Sequence, residues 1–264
     1  MDNTRHLLGI SGGKDSAALA IYMRDKIPEM EYVFCDTGKE LKETYDFIKK
    51  LEGFLNKEII KLPFSLENMS DNYDFDTVLE LYNGFLPSSQ ARWCTKKLKL
   101  EPFEKYIGEN EVINYVGIRY DEQREGYITT KSNVKTVFPF VNDKIDIRGV
   151  NQILERSGVG LPEYYKWRSR SGCYFCFYQT KKEWLGLKKY HPDLFEKAKK
   201  YESEKDGYTW REDMSLKELE KLTLEDYDNS LNKKNSFKTN RLVHLLDEDF
   251  DEETIEKPCL ICHL

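Results

Sequence analysis

Six consecutive residues, Ser11-Gly12-Gly13-Lys14-Asp15-Ser16, combine the side chains and backbone freedom needed to handle a phosphate. They follow a short apolar run, Leu7-Leu8-Gly9-Ile10, and open a helical pattern, Ala17-Ala18-Leu19-Ala20-Ile21-Tyr22-Met23. Strand, glycine turn and helix in that order build an anion site. Glycines let backbone N–H groups approach the ligand. The helix start offers unpaired donors and partial positive charge. Lys14 can pair with phosphate, Asp15 can hold Mg²⁺ or orient the loop, and Ser11 and Ser16 can donate hydroxyl hydrogen bonds. The loop has neither the Gly-x-x-x-x-Gly-Lys-Ser/Thr nor the Gly-x-Gly-x-x-Gly form. The plain alternative is a β–α turn capped by serine.

Two further places carry ligand chemistry. Asp36-Thr37-Gly38 ends a second apolar run, Glu31–Cys35, about 20 residues past the loop, where α/β nucleotide folds meet a ribose or base. Its alternative role is to cap the next helix. Arg119 ends the run Val112–Arg119, and Arg124 follows. The guanidinium fork suits phosphate or sulfate; the alternative is pairing with Asp121, Glu122 or Glu125.

The six cysteines stand at 35, 94, 173, 176, 259 and 262. Cys173/Cys176 and Cys259/Cys262 are two Cys-x-x-Cys pairs, which suit a tetrahedral metal or an iron–sulfur cluster. In a cytosolic chain such pairs point to metal or redox chemistry rather than structural disulfides. Cys94 is a fifth candidate and His263 can replace one sulfur. Spacing alone leaves zinc and iron–sulfur open. Cys35, inside an apolar run, reads as a small buried residue.

The elements that must position these residues alternate. Strands are expected at the first two runs, at Glu58–Leu62 and at Val112–Arg119, with helices at Ala17–Met23, Glu40–Leu51, within the stretch to Ile107, and at Arg148–Arg156. The class is α/β, a doubly wound, mainly parallel sheet. Val137-Phe138-Pro139-Phe140 reads as extended. After about residue 150 the β pattern fades, and helices are expected near Lys181–Lys189 and Pro192–Glu202. This gives a nucleotide-binding region, 1–150, and a smaller helical, cysteine-containing region, 151–264.

Of 264 residues, 39% are hydrophobic and 33% charged, and the net charge is −6. No apolar run of about 18 residues occurs, and the first residues lack the apolar core of a signal peptide. A soluble, cytoplasmic protein with no membrane segment is expected. The charge is uneven: Leu161–Lys200 holds ten Lys/Arg against four Asp/Glu, and Asp247–Glu256 is seven-tenths acidic. The basic stretch is interleaved with Tyr164, Tyr165, Trp167, Tyr174, Phe175 and Trp184, a pattern that could follow a nucleic-acid backbone and stack on bases. The alternative is aromatics in the core and lysines in solvent.

Five stretches together resemble the phosphoadenosine phosphosulfate (PAPS) reductase-like family, within the adenine nucleotide alpha-hydrolase, or N-type ATP pyrophosphatase, superfamily. They are the Ser11–Ser16 loop, Asp36-Thr37-Gly38 with Glu40 and Thr44, Cys94-Thr95 through Pro102, Gly117-Ile118-Arg119 with Glu122, and Leu161-Pro162 through Cys173-Tyr174-Phe175-Cys176. The resemblance implies an adenine nucleotide lying across Ser11–Ser16, Asp36 and Arg119. The expected nucleotide contacts are Ser11, Gly12, Gly13, Lys14, Asp15, Ser16, Asp36, Gly38, Arg119 and Arg124, with Lys14, Asp15 and Arg119 carrying the chemistry. ATP and Mg²⁺ are the expected ligands. Adenylyl sulfate reductases of this family hold a 4Fe-4S cluster on Cys-Cys and a later Cys-x-x-Cys. Here Cys94 matches the first of these cysteines, Thr95 replaces the second, and Cys173 and Cys176 match the last two. A fourth ligand could come from Cys259 or Cys262, and zinc is the alternative.

Two departures matter. The sulfate-assimilating reductases end in a Glu-Cys-Gly-Leu-His-like motif, and this chain ends Cys259-Leu260-Ile261-Cys262-His263-Leu264. Its loop also has the complete form typical of enzymes that cleave ATP to AMP and pyrophosphate. The resemblance is therefore nearer the branch that includes the DNA phosphorothioation protein DndC. It implies ATP-dependent activation of an acceptor, with a nucleic-acid substrate and with sulfur-donor or complex partner proteins. The alternatives are a PAPS or adenylyl sulfate reductase, and a non-catalytic nucleotide-binding subunit. Oligomeric state is open.

Overall fold

The computed structural model describes residues 4–62, 74–122, 131–203 and 207–227. They form two compact units, 4–174 and 175–227.

The first unit is built on a five-stranded sheet of β1 (Arg5–Gly9), β2 (Glu31–Cys35), β3 (Ile59–Leu62), β4 (Val112–Tyr115) and β5 (Val134–Val137). Strand order is β3-β2-β1-β4-β5, and every pairing is parallel. β1 to β4 carry apolar runs because both faces are covered. Leu8, Tyr32 and Phe34 pack on one face, and Leu7, Val33 and Cys35 on the other.

The first face is covered by α1 (Lys14–Met23), α2 (Lys42–Leu55) and Val150 and Leu154 of α5 (Ile147–Arg156). In α1 the small residues Ala17, Ala18 and Ala20 are fully buried, so the helix can lie close to the strands. The amphipathic stripe Phe47, Ile48, Leu51, Leu55 seats α2. The opposite face is covered by Phe103 and Ile107 of α4 (Glu101–Ile107). α3 (Phe75–Leu81) precedes it and is capped by the Asp74 carboxylate.

Some local expectations shift. α2 starts at Lys42 because Leu41 is extended and the Glu40 side chain is drawn back to Thr37. It runs on to Leu55 and stops at Asn56, in the left-handed conformation at φ 51°. The expected extended run 137–140 divides. β5 ends at Val137 and a short helix, Pro139–Asn142, begins, since proline fits a first helical position where its missing N–H costs nothing. A new α-helical segment, α4, starts at Glu101, and Pro102 fits its first turn, as its fixed φ allows. The segment directly follows a π-helical turn, Lys96–Leu100. The compositional change near residue 150 precedes the change in packing, because α5 packs against α1 and the first unit continues to Tyr174.

The second unit contains α6 (Lys181–Tyr190) and α7 (Pro192–Tyr201), and both α6 and the turn Leu216–Leu219 start from full capping boxes, Thr180/Glu183 and Ser215/Glu218. Its core is aromatic: Phe175 stacks on Trp210 at 4.8 Å, with Tyr201 edge-on and Trp184 beside it. Among the described residues no helix is long and apolar enough to cross a membrane.

At the amino end of the sheet, Arg5 grips Glu31 with two hydrogen bonds of 2.8 and 2.7 Å, and Tyr106 donates a third at 2.7 Å. The bond from Arg5 holds the Glu31 carboxyl below its ordinary value of 4.5. Its contribution to stability is therefore complete above that value and lost as pH falls through the lowered one. Glu31→Gln is expected to weaken the fold near about pH 7, and by less as pH falls below 4.5. Urea unfolding across an acid pH series checks this; a loss that stays constant with pH contradicts it.

Candidate functional site

In an open parallel sheet, ligands bind beyond the carboxyl ends of the strands where the strand order reverses. Here that place lies between β1 and β4, and the Ser11–Ser16 loop leaves β1 there. The loop is tightly wound. The Ser11 N–H donates to Ser16 Oγ at 3.1 Å, the two serine hydroxyls meet at 3.0 Å, and the Gly13 N–H donates to Ser11 Oγ at 3.3 Å. Ser16 Oγ donates back to the Gly13 carbonyl at 3.2 Å. Both serines thus shape the turn.

Two glycines are required by space. Gly12 has φ +75°, and a Cβ there would lie 2.4 Å from Thr44 Cγ2. A Cβ on Gly13 would lie 2.8 Å from Ser171 Oγ. Gly117, just past β4, gives the same service from the other side, since its Cβ would stand 3.0 Å from the Asp15 carbonyl oxygen.

Lys14, Asp15 and Arg119 converge. Lys14 Nζ is 3.8 Å from Asp15 Oδ2, and Arg119 donates to Asp15 Oδ1 at 3.0 Å. Arg119 also pairs with Glu122 at 2.8 Å and Asp121 at 3.0 Å. The alternative pairing read from the sequence is therefore real, but it is buried: the Arg119 side chain is only 12% exposed. Burial opposes its charge, and Asp15, Glu122 and Asp121 outweigh that, so its pKa stands above the ordinary value. Lys14, Asp15 and Arg119 can together serve a polyphosphate, with Asp15 available to Mg²⁺. A Mg²⁺ site of one carboxylate completed by phosphates and water fits this donor set.

Asp36 does not cap α2, whose first residue follows Leu41. Its Oδ1 accepts from the Gly38 N–H at 2.9 Å and from the Tyr45 hydroxyl at 2.7 Å. Tyr45 also reaches Glu40 at 3.3 Å, and Thr37 donates to Glu40 at 2.7 Å. Glu40 is buried, and burial together with Asp36 pushes its carboxyl pKa up. Cys173 closes this cluster, its Sγ 3.2 Å from Thr37 Oγ1 and 3.9 Å from Glu40 Oε1.

The cysteines divide. Cys35 is buried and donates to the Lys99 carbonyl, and burial pushes its thiol pKa up to about 12, the inert state expected of it. Cys94 is half-buried in the short helix Trp93–Thr95, Cys173 is near the end of the first unit, and Cys176 is near the start of the second. Among the described residues no group of three or more His, Cys, Asp or Glu side chains gathers to hold a metal ion. Arg124, Cys259, Cys262 and His263 lie outside the described residues.

The six aromatic residues read as interleaved with the basic stretch divide, with Tyr165 and Trp167 half-buried and the other four inside. Tyr164, Tyr174, Phe175 and Trp184 are buried. Lys181 pairs with Asp213, and Lys199 with Glu196 and Glu220. Tyr164 and Tyr165 have another role, which spacing gave no means of finding. The Tyr164 hydroxyl donates to the Gly12 carbonyl at 2.7 Å, and the Tyr165 hydroxyl accepts from the Lys14 N–H at 3.2 Å. Thr44 and Ser171, which line the glycines, and the buried Arg168, which donates to the Gly172 and Cys173 carbonyls, are further site residues of this kind.

The model of the phosphoadenosine phosphosulfate reductase domain matches residues 5–174, the whole first unit from β1 onward. The chain belongs to this family. Proteins similar to it include two uncharacterized proteins of Methanocaldococcus jannaschii. One is 28% identical over 80% of this chain and 53% of its own length; the other is 29% identical over 72% and 40%. The nin region protein ORF290 of Escherichia phage lambda is 28% identical over 45% of this chain and 49% of its own. The chain spans about half the length of the curated relatives it matches. Among solved structures, a PAPS reductase from Candida auris in complex with phosphate is similar over 64% of this chain and 81% of its own, with a TM-score of 0.49 and 16% identity.

The glycine requirement is testable. Gly12→Ala adds left-handed strain and a clash, and is expected to lower stability by about 2 kcal/mol or more. Gly53→Ala, within α2, where a Cβ meets nothing within 4 Å, is expected to raise it by about 0.5–1 kcal/mol. Denaturant titration of both variants reads the contrast; a harmless Gly12→Ala would contradict the geometry.

Proposed function

We propose that this member of the PAPS reductase family cleaves ATP between the α and β phosphates to activate an acceptor. The observation that carries the reading is the convergence of Lys14, Asp15 and Arg119 on the glycine loop. The β and γ phosphates would lie against the loop and Lys14. Asp15 would hold Mg²⁺, which adds positive charge beside the phosphates. Arg119 is already partly desolvated, so exchanging carboxylate partners for phosphate oxygens costs it less hydration than a fully exposed arginine would lose. The acceptor oxygen attacks the α phosphorus, the α–β bridging bond breaks, and the acceptor proton passes to solvent. Charge grows on the departing pyrophosphate, where Lys14 and Arg119 stabilise it.

The adenylylated acceptor would then be open to a sulfur nucleophile, with AMP leaving. Sulfur transfer to a nucleic acid, as in the branch that includes DndC, is the extension of this reading. It requires a sulfur donor or partner protein. No step is assigned to a metal cluster.

A second reading, a sulfonucleotide reductase, is favoured by one observation: the Cys173 thiol lies within the Asp36–Glu40 cluster. In that reading the Cys173 sulfur would attack the sulfonate sulfur, and the sulfur–oxygen bond to the nucleotide phosphate would break with the nucleotide leaving. A thiol reductant, itself oxidised to a disulfide, would then release sulfite from the S-sulfocysteine. The test is product analysis. Incubation with Mg-ATP is expected to release AMP and pyrophosphate, slowly where water is the acceptor. Lys14→Ala or Asp15→Asn should cut the rate about 100-fold or more. Sulfite released from PAPS, with ATP untouched, makes the protein a reductase. Nucleotide binding with no turnover makes it a binding subunit.

A further inference from the structure

The first turn of α1 has no side-chain cap of its own, since Gly13 stands at the cap position. The Lys14 N–H is one of the donors a helix start leaves unpaired. It is bonded by the Tyr165 hydroxyl, brought from 151 residues away. The Lys14 ammonium lies 4.9 Å from the centre of the same ring. One tyrosine thus meets both the backbone donor and the cation that the nucleotide reading assigns to phosphate.

Tyr165 belongs to a strap. It sits in a short 3-10 turn, Glu163–Lys166, whose Tyr164 holds the Gly12 carbonyl. The Arg168 N–H bonds back to the Tyr164 carbonyl, and its guanidinium grips the Gly172 and Cys173 carbonyls. Ser171 donates to Ser11 Oγ at 3.4 Å. The two tyrosines act oppositely. Tyr164 engages a carbonyl, which no phosphate can use, so it shapes the loop. Tyr165 engages a donor, which a phosphate oxygen also needs.

We propose that Tyr165 is a built-in competitor for the phosphate loop, its hydroxyl occupying the Lys14 N–H until a nucleotide phosphate expels it. The proposal rests on the nucleotide reading above. Affinity is then reduced by the fraction of molecules with the tyrosine in place.

The test compares full-length wild type, Tyr165→Phe and Tyr164→Phe, with Mg-ATP and inorganic pyrophosphate as calorimetric probes. Tyr165→Phe keeps the ring and removes the hydroxyl's bonds to the Lys14 N–H and to the Tyr164 hydroxyl, so it is expected to bind both about 3- to 10-fold tighter. Tyr164→Phe is expected to bind more weakly. Pyrophosphate added to wild type is expected to speed amide exchange across 163–171. Binding by Tyr165→Phe alone would show full occlusion and support the proposal. Tyr165→Phe binding no tighter than a competent wild type overturns the proposal and leaves the nucleotide reading standing. No binding by any of the three overturns both.

Discussion

Everything at this site depends on a backbone turn that has no room for side chains. Gly12 is packed against Thr44 and Gly13 against Ser171, and Gly117 brings the end of β4 up to the Asp15 peptide. The turn can close this tightly because Ser11 and Ser16 bond each other and the loop backbone. Tight closure puts Lys14 and Asp15 at the helix start and carries Asp15 to Arg119. The parallel sheet supplies the rest, since β1 and β4 are neighbours and deliver the loop and Arg119 to the same edge.

The charges at the site balance locally. Arg119 faces three carboxylates, and Lys14 stands beside one of them. A buried arginine so held is stable without ligand. A polyphosphate that arrives with Mg²⁺ offers Arg119 new oxygens and Asp15 a new cation at once. If the Arg119–Asp15 contact opens, Arg119 keeps Glu122 and Asp121 and Asp15 keeps Lys14, so no charge is left without a partner.

β1 to β4 were legible because each carries a short apolar run, and α2 because it carries a clean 3.6-residue stripe; β5, Val-Lys-Thr-Val and nowhere fully buried, carries no such run. The phosphate loop was legible because residue types and order agree in six adjacent positions. What escaped depends on distant contacts. Nothing near Pro162 announces that Tyr164 and Tyr165 belong to a loop 152 and 151 residues earlier. The interleaving of tyrosine and tryptophan with lysine looked like a nucleic-acid surface, yet Tyr164, Tyr174, Phe175 and Trp184 are buried in their units. Pattern cannot separate the two when a stretch is rich in both. Glu40 was visible as part of a motif, but its burial beside Cys173 follows only from the loop that ends β2.

The central claim is that this loop is built for the polyphosphate of ATP. The most direct measurement is thermal unfolding of anaerobically prepared protein with Mg-ATP, PAPS, adenylyl sulfate or no ligand. At about 100 times its Kd a ligand stabilises by roughly 2.7 kcal/mol. The account predicts that shift with Mg-ATP and its loss in Lys14→Ala. Stabilisation by a sulfonucleotide and none by Mg-ATP would contradict it.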